Sequence, residues 1–177
     1  MTVLGLSGSL RAGSHNAKLL RAAGELLPAD VELTIFDGLK AIPPFDEDDE
    51  HTRPEPVQAL FDAIAAADAV LIATPEYNQS IPGQLKNALD WLSRPPEQTP
   101  LRGKPVAVVG ASTGLFGAVW AQAEVRKVLG AIGARVLDRE LPIGLADDAF
   151  HAHGLADPDQ TRALAGILAE LVPVAVA

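Results

Sequence analysis

The sequence contains no cysteine. Disulfides, thiolate metal sites, iron–sulfur clusters and cysteine nucleophiles are thereby excluded. Any redox chemistry has to be carried by a cofactor. No run of about twenty apolar residues occurs, so no membrane span is expected. The opening stretch MTVLGLSGS has no basic region followed by a long apolar segment. No signal peptide is therefore expected, and a cytoplasmic location follows. Cations are the minority charge, 14 Lys and Arg against 23 Asp and Glu, for a net charge of -9. Such a chain has no broad electrostatic reason to bind nucleic acid or an anionic membrane. A local basic spot can still hold an anion.

What is present points to a packed globule. Hydrophobic residues make up 48% of 177, enough for one domain with one sizeable core. No internal repeat, low-complexity tract or second domain is visible, so residues 1–177 are expected to form a single domain. Thr2 to Leu6 is an apolar run stopped by Ser-Gly-Ser and reads as a buried strand. Val31–Phe36, Ala69–Thr74, Pro105–Gly110 and Ala134–Leu137 read as four more. Between and after them apolar residues recur at helical spacing. These are Leu19, Ala22, Ala23 and Leu26; Val57, Leu60, Phe61 and Ile64; Leu85, Ala88, Leu89 and Leu92; Ala121, Val125, Val128, Leu129 and Ile132; and Leu164, Ile167, Leu168 and Leu171. Pro54 and Pro56 mark a helix start, and Gly133 a helix end. The order is strand then helix, five times over. The strands are continuously apolar, which predicts an α/β fold with a doubly wound, five-stranded parallel sheet and helices on both faces.

In such a sheet ligands bind outside the carboxyl ends of the strands, at the topological switch point. Three loops leave such ends: Ser7–Ser14, Pro75–Pro82 and Ala111–Gly117. With strand order 2-1-3-4-5 they converge on one crevice. The first opens a helix, where free N–H groups and the helix dipole favour an anion. Gly8 and Gly13 allow close backbone approach, Ser7, Ser9 and Ser14 offer hydroxyls, and Arg11 offers a phosphate-matching fork. Ser14 also stands where an N-cap would. The loop lacks the Gly-Lys-Ser/Thr of a P-loop and the G-x-G-x-x-G of dinucleotide-binding folds, although Asp37 ends strand two where such folds place a ribose-binding acid. The second loop, Pro75-Glu76-Tyr77-Asn78, could wrap the edge of a planar ring. The third, Ala111-Ser112-Thr113-Gly114, could offer N–H groups to a ring carbonyl. One phosphate loop and two ring-sized loops suggest a mononucleotide carrying a flat heterocycle.

The segments SGSLRAGSHN, PEYNQSIPGQLKNALDWLSRP and STGLFGAVWAQAEVRKVL resemble the NADPH-dependent FMN reductase family, which includes quinone and chromate reductases and is related to the azoreductases. The resemblance implies a flavodoxin-like fold that binds FMN without a covalent bond. It implies that Ser9, Arg11, Ser14 and Asn16 surround the phosphate, that Pro75, Glu76, Tyr77 and Asn78 line the isoalloxazine, and that Ser112 and Gly114 sit near its other side. It implies a homodimer or homotetramer with FMN near a subunit interface. Where many relatives carry Arg in a Gly-Gly-x-Arg-Ala-Gln run, this chain has Gly117-Ala118-Val119-Trp120-Ala121-Gln122. Trp120 is a large apolar plate, so the anionic-substrate or intersubunit contact of that Arg is not carried over.

The expected activity is hydride transfer from NAD(P)H to FMN, then two electrons to a quinone, flavin or similar acceptor. The flavin carries the chemistry, so no catalytic side chain is named, and Tyr77 is expected to stack. Two other readings stand beside it. One is a non-enzymatic electron carrier of flavodoxin type, whose phosphate loops are usually Thr-rich, unlike Ser-Leu-Arg here. The other is a regulatory protein that has lost flavin binding. No metal site is expected. The acidic run Phe45 to His51 matches no EF-hand spacing and reads as a solvated loop. His151 and His153 read as exposed, and His15 as exposed beside the first loop. Trp91 reads as core or interface. No G-x-S-x-G elbow is present, which disfavours hydrolase chemistry.

Overall fold

The computed structural model describes residues 1–152 and 154–172. His153 therefore lies outside the described residues. The strands β1 (Thr2–Ser7), β2 (Glu32–Phe36), β3 (Ala69–Thr74), β4 (Pro105–Ala111) and β5 (Arg135–Val136) form a parallel sheet in the order β2-β1-β3-β4-β5. A further strand, β6 (Pro142–Ile143), also runs parallel to β4. The expected fifth strand is thus interrupted. Residues 138–140 carry the interruption, between a piece pairing with the start of β4, where Leu137 N–H still donates to Val106 O, and a piece pairing with its end, where Leu141 O accepts from Gly110 N–H. The strand at the other edge also departs from expectation. β2 is half-exposed along its length rather than buried, as an edge strand with one neighbour must be. A short hairpin, β7 (Phe150–His151) and β8 (Gly154–Leu155), stands apart from this sheet.

Side-chain alternation sends each central strand's residues to two cores. Leu4, Leu6, Val70, Ile72, Val106 and Val108 face one side. There they meet α2 (Glu55–Ala66), α3 (Gly83–Leu92) and α4 (Val119–Ile132). Val3, Ala69, Leu71, Ala73, Ala107, Val109 and Ala111 face the other, against α1 (His15–Leu26) and α5 (Pro158–Leu171). The second face carries many alanines, and a Cβ on Gly5 would already touch the Leu20 methyls at 3.3 Å. Small side chains let α1 lie close to the sheet. Its N-terminus is thereby brought beside the ends of both β1 and β4.

The predicted helical stripes face the cores, with Val128 and Ile132 of α4 only partly buried, at about 2 kcal/mol per fully buried large aliphatic side chain. Leu26, at the end of α1, is 36% exposed. The motif helix α3 has a second use for its polar residues. Gln84 Nε2 donates to the carbonyls of Leu39 and Ile42 at 2.8 and 2.9 Å. Asn87 donates to Pro43 and accepts from the Phe45 N–H, and Trp91 Nε1 donates to the same Pro43 carbonyl at 2.9 Å. These three residues lie on one side of the helix and stitch the Pro-rich segment 39–45 onto it. Trp91 is buried, edge-on to Phe45 with ring centroids 5.1 Å apart.

Candidate functional site

Loop one begins where Gly8 N–H donates to Ala73 O at 2.8 Å. A Cβ on Gly8 would stand 3.0 Å from Leu85 and 3.2 Å from Pro75, so glycine lets the first and second loops lie together. Ser14 caps α1 in extended conformation, its Oγ accepting from the Ala17 N–H at 3.2 Å. Beyond that bond, the N–H groups of Arg11, Ala12, Gly13, His15 and Asn16 have no acceptor among the described residues. A Cβ on Gly13 would meet nothing within 4 Å, so the space beside these donors is open. The Arg11 side chain is exposed, with no ion-pair partner among the described residues.

Asn16 ties loop one to loop three. Its Nδ2 donates to Ala111 O at 2.9 Å, and its Oδ1 accepts from the Ala111 N–H at 3.0 Å. Both groups are buried, where an unpaired backbone polar atom would cost about 1–3 kcal/mol. The carboxamide lies in the crevice wall, but its bonds brace the crevice.

Loop two is a tight turn. Tyr77 and Ser80 exchange both backbone hydrogen bonds at 3.1 Å. Asn78 and Gln79 between them have φ of 54° and 59°, the left-handed pair of a type I′ turn, which Asn tolerates well. Two carboxylates fasten this loop to α4. Glu76 Oε2 accepts from the N–H groups of Trp120 and Ala121 at 3.0 and 3.1 Å. It caps a helix whose own N-cap, Ala118, supplies no side-chain bond. Glu124 Oε2 accepts from Ser80 Oγ at 2.6 Å and from the Ile81 N–H at 3.1 Å. The Ser80 hydroxyl and then the Ile81 N–H hold the Glu124 carboxyl below the usual glutamate value.

Loop three is woven into the segment after β6. Ser112 N–H donates to Ile143 O, and Ser112 O accepts from the Ala146 N–H, both at 3.0 Å. Gly117 has φ of 57°, and a Cβ there would fall 2.5 Å from Ile143 N; only glycine fits. The buried Gln122 donates to Gly117 O and accepts from the Leu141 N–H, each at 3.0 Å.

Among the predicted site residues, Ser9, Arg11, Asn16, Pro75, Glu76, Tyr77 and Ser112 line one cavity of about 260 Å³ with His15, Ala111 and Thr113. Ser14 is buried beneath it as the cap, Asn78 sits in the exposed turn, and Gly114 is exposed on loop three. A larger cavity of about 390 Å³ lies between α3, α4 and the segment after α3, away from the strand ends and the free N–H groups of loop one.

His15 departs from expectation. It is 8% exposed, not solvated. Its Nε2 lies 3.1 Å from Asp147 Oδ1, and its ring stacks on Phe150 with centroids 6.0 Å apart. Its Nδ1 is buried without a partner among the described residues. Sequence reasoning missed this, and it missed the bracing by Gln122 and Glu124. The signal existed for two of them. His15, Leu19 and Ala22 share an i, i+4, i+7 stripe, and Gln122 shares one with Val125 and Leu129. A polar residue on an apolar stripe has a buried partner to find.

The donor set fits a mononucleotide. Free helix-start N–H groups and the Arg11 guanidinium stand beside the place a phosphate would take. The second and third loops leave a slot beside them for a ring. Among the described residues no cluster of three or more His, Asp or Glu side chains could hold a metal ion, and the acidic segment forms an exposed helical turn at Glu47–Asp49. No described helix is long and apolar enough to cross a membrane.

Comparison with known proteins agrees with this geometry. Residues 1–148 match the family model described as NADPH-dependent FMN reductase. The chain is 45% identical over 164 residues to an NAD(P)H-dependent FMN reductase of Pseudomonas aeruginosa, covering 92% of this chain and 88% of that protein. It is 43% identical over 141 residues to a quinone reductase of Escherichia coli, covering 78% of this chain and 74% of that one. Among solved structures it resembles FerB, a flavoenzyme NAD(P)H:(acceptor) oxidoreductase from Paracoccus denitrificans. The TM-score is 0.84 and the identity 35%, over 97% of this chain and 95% of that one. An azoreductase structure, AzrA, shares the fold at a TM-score of 0.60 and 19% identity, over 97% of each chain. With the match to the family model spanning most of its length, the chain belongs to the NADPH-dependent FMN reductase family.

Proposed function

We propose that the crevice holds FMN with its phosphate on the first loop and its isoalloxazine between the second and third. The observation that carries this is the single cavity in which Arg11 and the helix-start donors meet Pro75, Tyr77 and Ser112. The chain is an FMN-dependent NAD(P)H:acceptor oxidoreductase, and the relatives named above are reductases. Bound FMN supplies the two-electron relay, taking hydride from NAD(P)H and returning electrons to an acceptor.

The protein binds and orients. Ser9 and Arg11 hold the phosphate, above the cap that Ser14 provides. Asn16 keeps loop one at a fixed distance from loop three. Pro75, Glu76, Tyr77 and Asn78 border the ring on one side, and Ser112 and Gly114 border it on the other. The Tyr77 ring, 54% exposed, is free to stack with a flat acceptor. The acceptor we assign is a quinone, supported by the name of the Escherichia coli relative and by the aromatic rim of the crevice.

We further assign a homo-oligomer in which a second copy completes the crevice. At about 260 Å³ the cavity is small for a cofactor pocket. Tyr77 is exposed in its wall, and Leu115, Phe116, Trp120 and Leu145 are exposed on the third loop, the start of α4 and the segment after β6. Phe116 and Trp120 already pack edge-to-face at 5.1 Å. A cluster of exposed apolar side chains marks a docking surface. Residues 1–177 are taken to act as one domain. A cytoplasmic setting suits an enzyme that draws on a nicotinamide nucleotide.

The test is an absorption spectrum after incubation with FMN and desalting, repeated anaerobically with NADPH and with NADH. Retained flavin bands that bleach on adding nucleotide are expected. A protein that stays colourless after reconstitution overturns the assignment.

A further inference from the structure

We propose that the cavity between α3, α4 and residues 93–102 is a second binding site, separate from the crevice, for an amphipathic anion: an apolar body carrying one carboxylate or sulfonate. The inference stands whichever group the crevice holds.

The cavity measures about 390 Å³, within the size of small-molecule sites and larger than the crevice. Its floor is apolar. Leu89 of α3 is buried, while Val128 and Ile132 of α4 pack against the same core and stay only partly covered. Val125 and Leu129, on the same stripe of α4, are fully buried. The stripe therefore runs out from under the core at this point and leaves apolar surface in the cavity. Taking that surface out of water favours a hydrocarbon or aromatic group over a wholly polar one.

The charged part of the lining is cationic. Arg94, Arg102 and Lys127 line the cavity and are exposed. None of the three has an ion-pair partner among the described residues. Arg102 Nη2 donates to Pro96 O at 2.9 Å, which holds the guanidinium and leaves further donors of its fork free. The one carboxylate in the lining, Asp90, is already matched, its Oδ1 accepting from Lys86 Nζ at 2.6 Å. Glu124 stands one turn before Lys127 but is bound to Ser80 and Ile81. Thr99 adds a neutral donor. It is buried, its Oγ1 accepts from the Leu101 N–H at 3.3 Å, and its hydroxyl hydrogen has no acceptor among the described residues. Three unmatched cations thus surround one apolar floor, in a chain where acids outnumber bases 23 to 14. An inorganic anion would leave the floor bare, and a neutral apolar molecule would leave the cations unused. A molecule with an apolar body and an anionic head uses both, and a guanidinium matches the paired oxygens of a carboxylate or sulfonate.

The experiment is calorimetric titration of the FMN-loaded protein with naphthalenesulfonate, and with naphthalenemethanol as its uncharged counterpart. One equivalent of the sulfonate should bind, about tenfold tighter than the alcohol, and more weakly as salt is raised. The flavin spectrum should not change. Arg102→Gln should weaken the sulfonate about tenfold and Lys127→Gln about threefold, with the alcohol unmoved. Ala131→Trp, at an exposed position in the lining, fills the cavity and should abolish binding of both compounds; a retained flavin spectrum shows that the variant is folded. Arg102→Gln carries the test if it is not. Sedimentation of the native chain and of Ala131→Trp reports whether two copies meet on this face. Absence of binding, equal binding of the two compounds, or sulfonate binding that survives Ala131→Trp overturns the proposal. So does a native oligomer that Ala131→Trp dissociates, because the face then belongs to a second copy of the chain. A chain that retains no FMN fails the crevice assignment alone, and the same titrations on the flavin-free protein then decide this one.

Discussion

The anion end and the ring end of the crevice are built in opposite ways. At the anion end Ser14, His15 and Asn16 are all buried within 8% exposure, and α1 is pressed onto small side chains of the sheet. At the ring end Tyr77, Phe116 and Trp120 are exposed at 54%, 59% and 41%. Each end has one buried carboxamide bonded to backbone, Asn16 on Ala111 and Gln122 on Gly117 and Leu141. Carboxylates from other segments fasten both ends, Asp147 on His15 at the anion end and Glu76 and Glu124 at the ring end. A rigid end suits a constant group such as a phosphate. An end with an apolar, open rim suits partners and acceptors that come and go. Tight retention of a cofactor and permissive use of acceptors thereby reside in separate parts of one site.

Substitutions can break this contrast, the largest effect coming from the anion end. Asn16→Leu strands the buried Ala111 N–H and C=O together, and should cost about 3 kcal/mol of stability. Urea unfolding at an unchanged slope should show it. A shift below about 0.5 kcal/mol would mean that α1 is not braced through Ala111. Arg11→Ala should leave unfolding unchanged and weaken FMN by roughly thirtyfold, about 2 kcal/mol for a charged hydrogen bond. Flavin fluorescence titration reads this, and riboflavin affinity should not move. If both flavins weaken equally, Arg11 serves the ring rather than the phosphate.

At the ring end the expected effects are smaller. Glu76→Ala removes the side-chain cap on α4 found among the described residues, worth about 1 kcal/mol. A lower thermal midpoint with FMN affinity nearly kept is the expected pattern. Loss of FMN at full stability would instead put Glu76 on the cofactor. Glu124→Gln gives the smallest change and carries a pH signature. The folded chain holds the Glu124 carboxyl below its usual value. Its contribution is therefore present above the ordinary carboxylate range and lost as pH falls through the depressed value. The difference in thermal midpoint between native and variant should be visible near neutral pH and shrink as pH falls through the depressed value. A difference that persists in acid would trace to the lost shape of the carboxylate rather than its charge.

Much of this was legible in the chain. Continuous apolar runs at Ala69–Thr74 and Pro105–Gly110 can only be central parallel strands, and the helical stripes between them dictate crossovers. Glycine and serine at the end of the first strand announce an anion loop, because few other residues leave backbone donors so exposed. The edges were less legible. The fifth strand is interrupted after Leu137 and resumes only at Pro142, because pairing at an edge depends on one neighbour and not on local pattern. Polar braces were the other gap. Gln122 and His15 look like surface residues until the stripe they occupy is seen to be buried.

The sequence by itself determined which residues form the sheet, which helices cover it, and that three loops of unusual composition leave its carboxyl edge. Periodicity and turn chemistry are local, and local chemistry is written in the chain. Only the tertiary structure decided that Asn16 would meet Ala111, that Glu124 would reach back to Ser80, and that Asp147 would stand beside His15. Those pairs lie 95, 44 and 132 residues apart. Their meeting depends on how closely α1 and α4 approach the sheet, which packing sets and no single segment records.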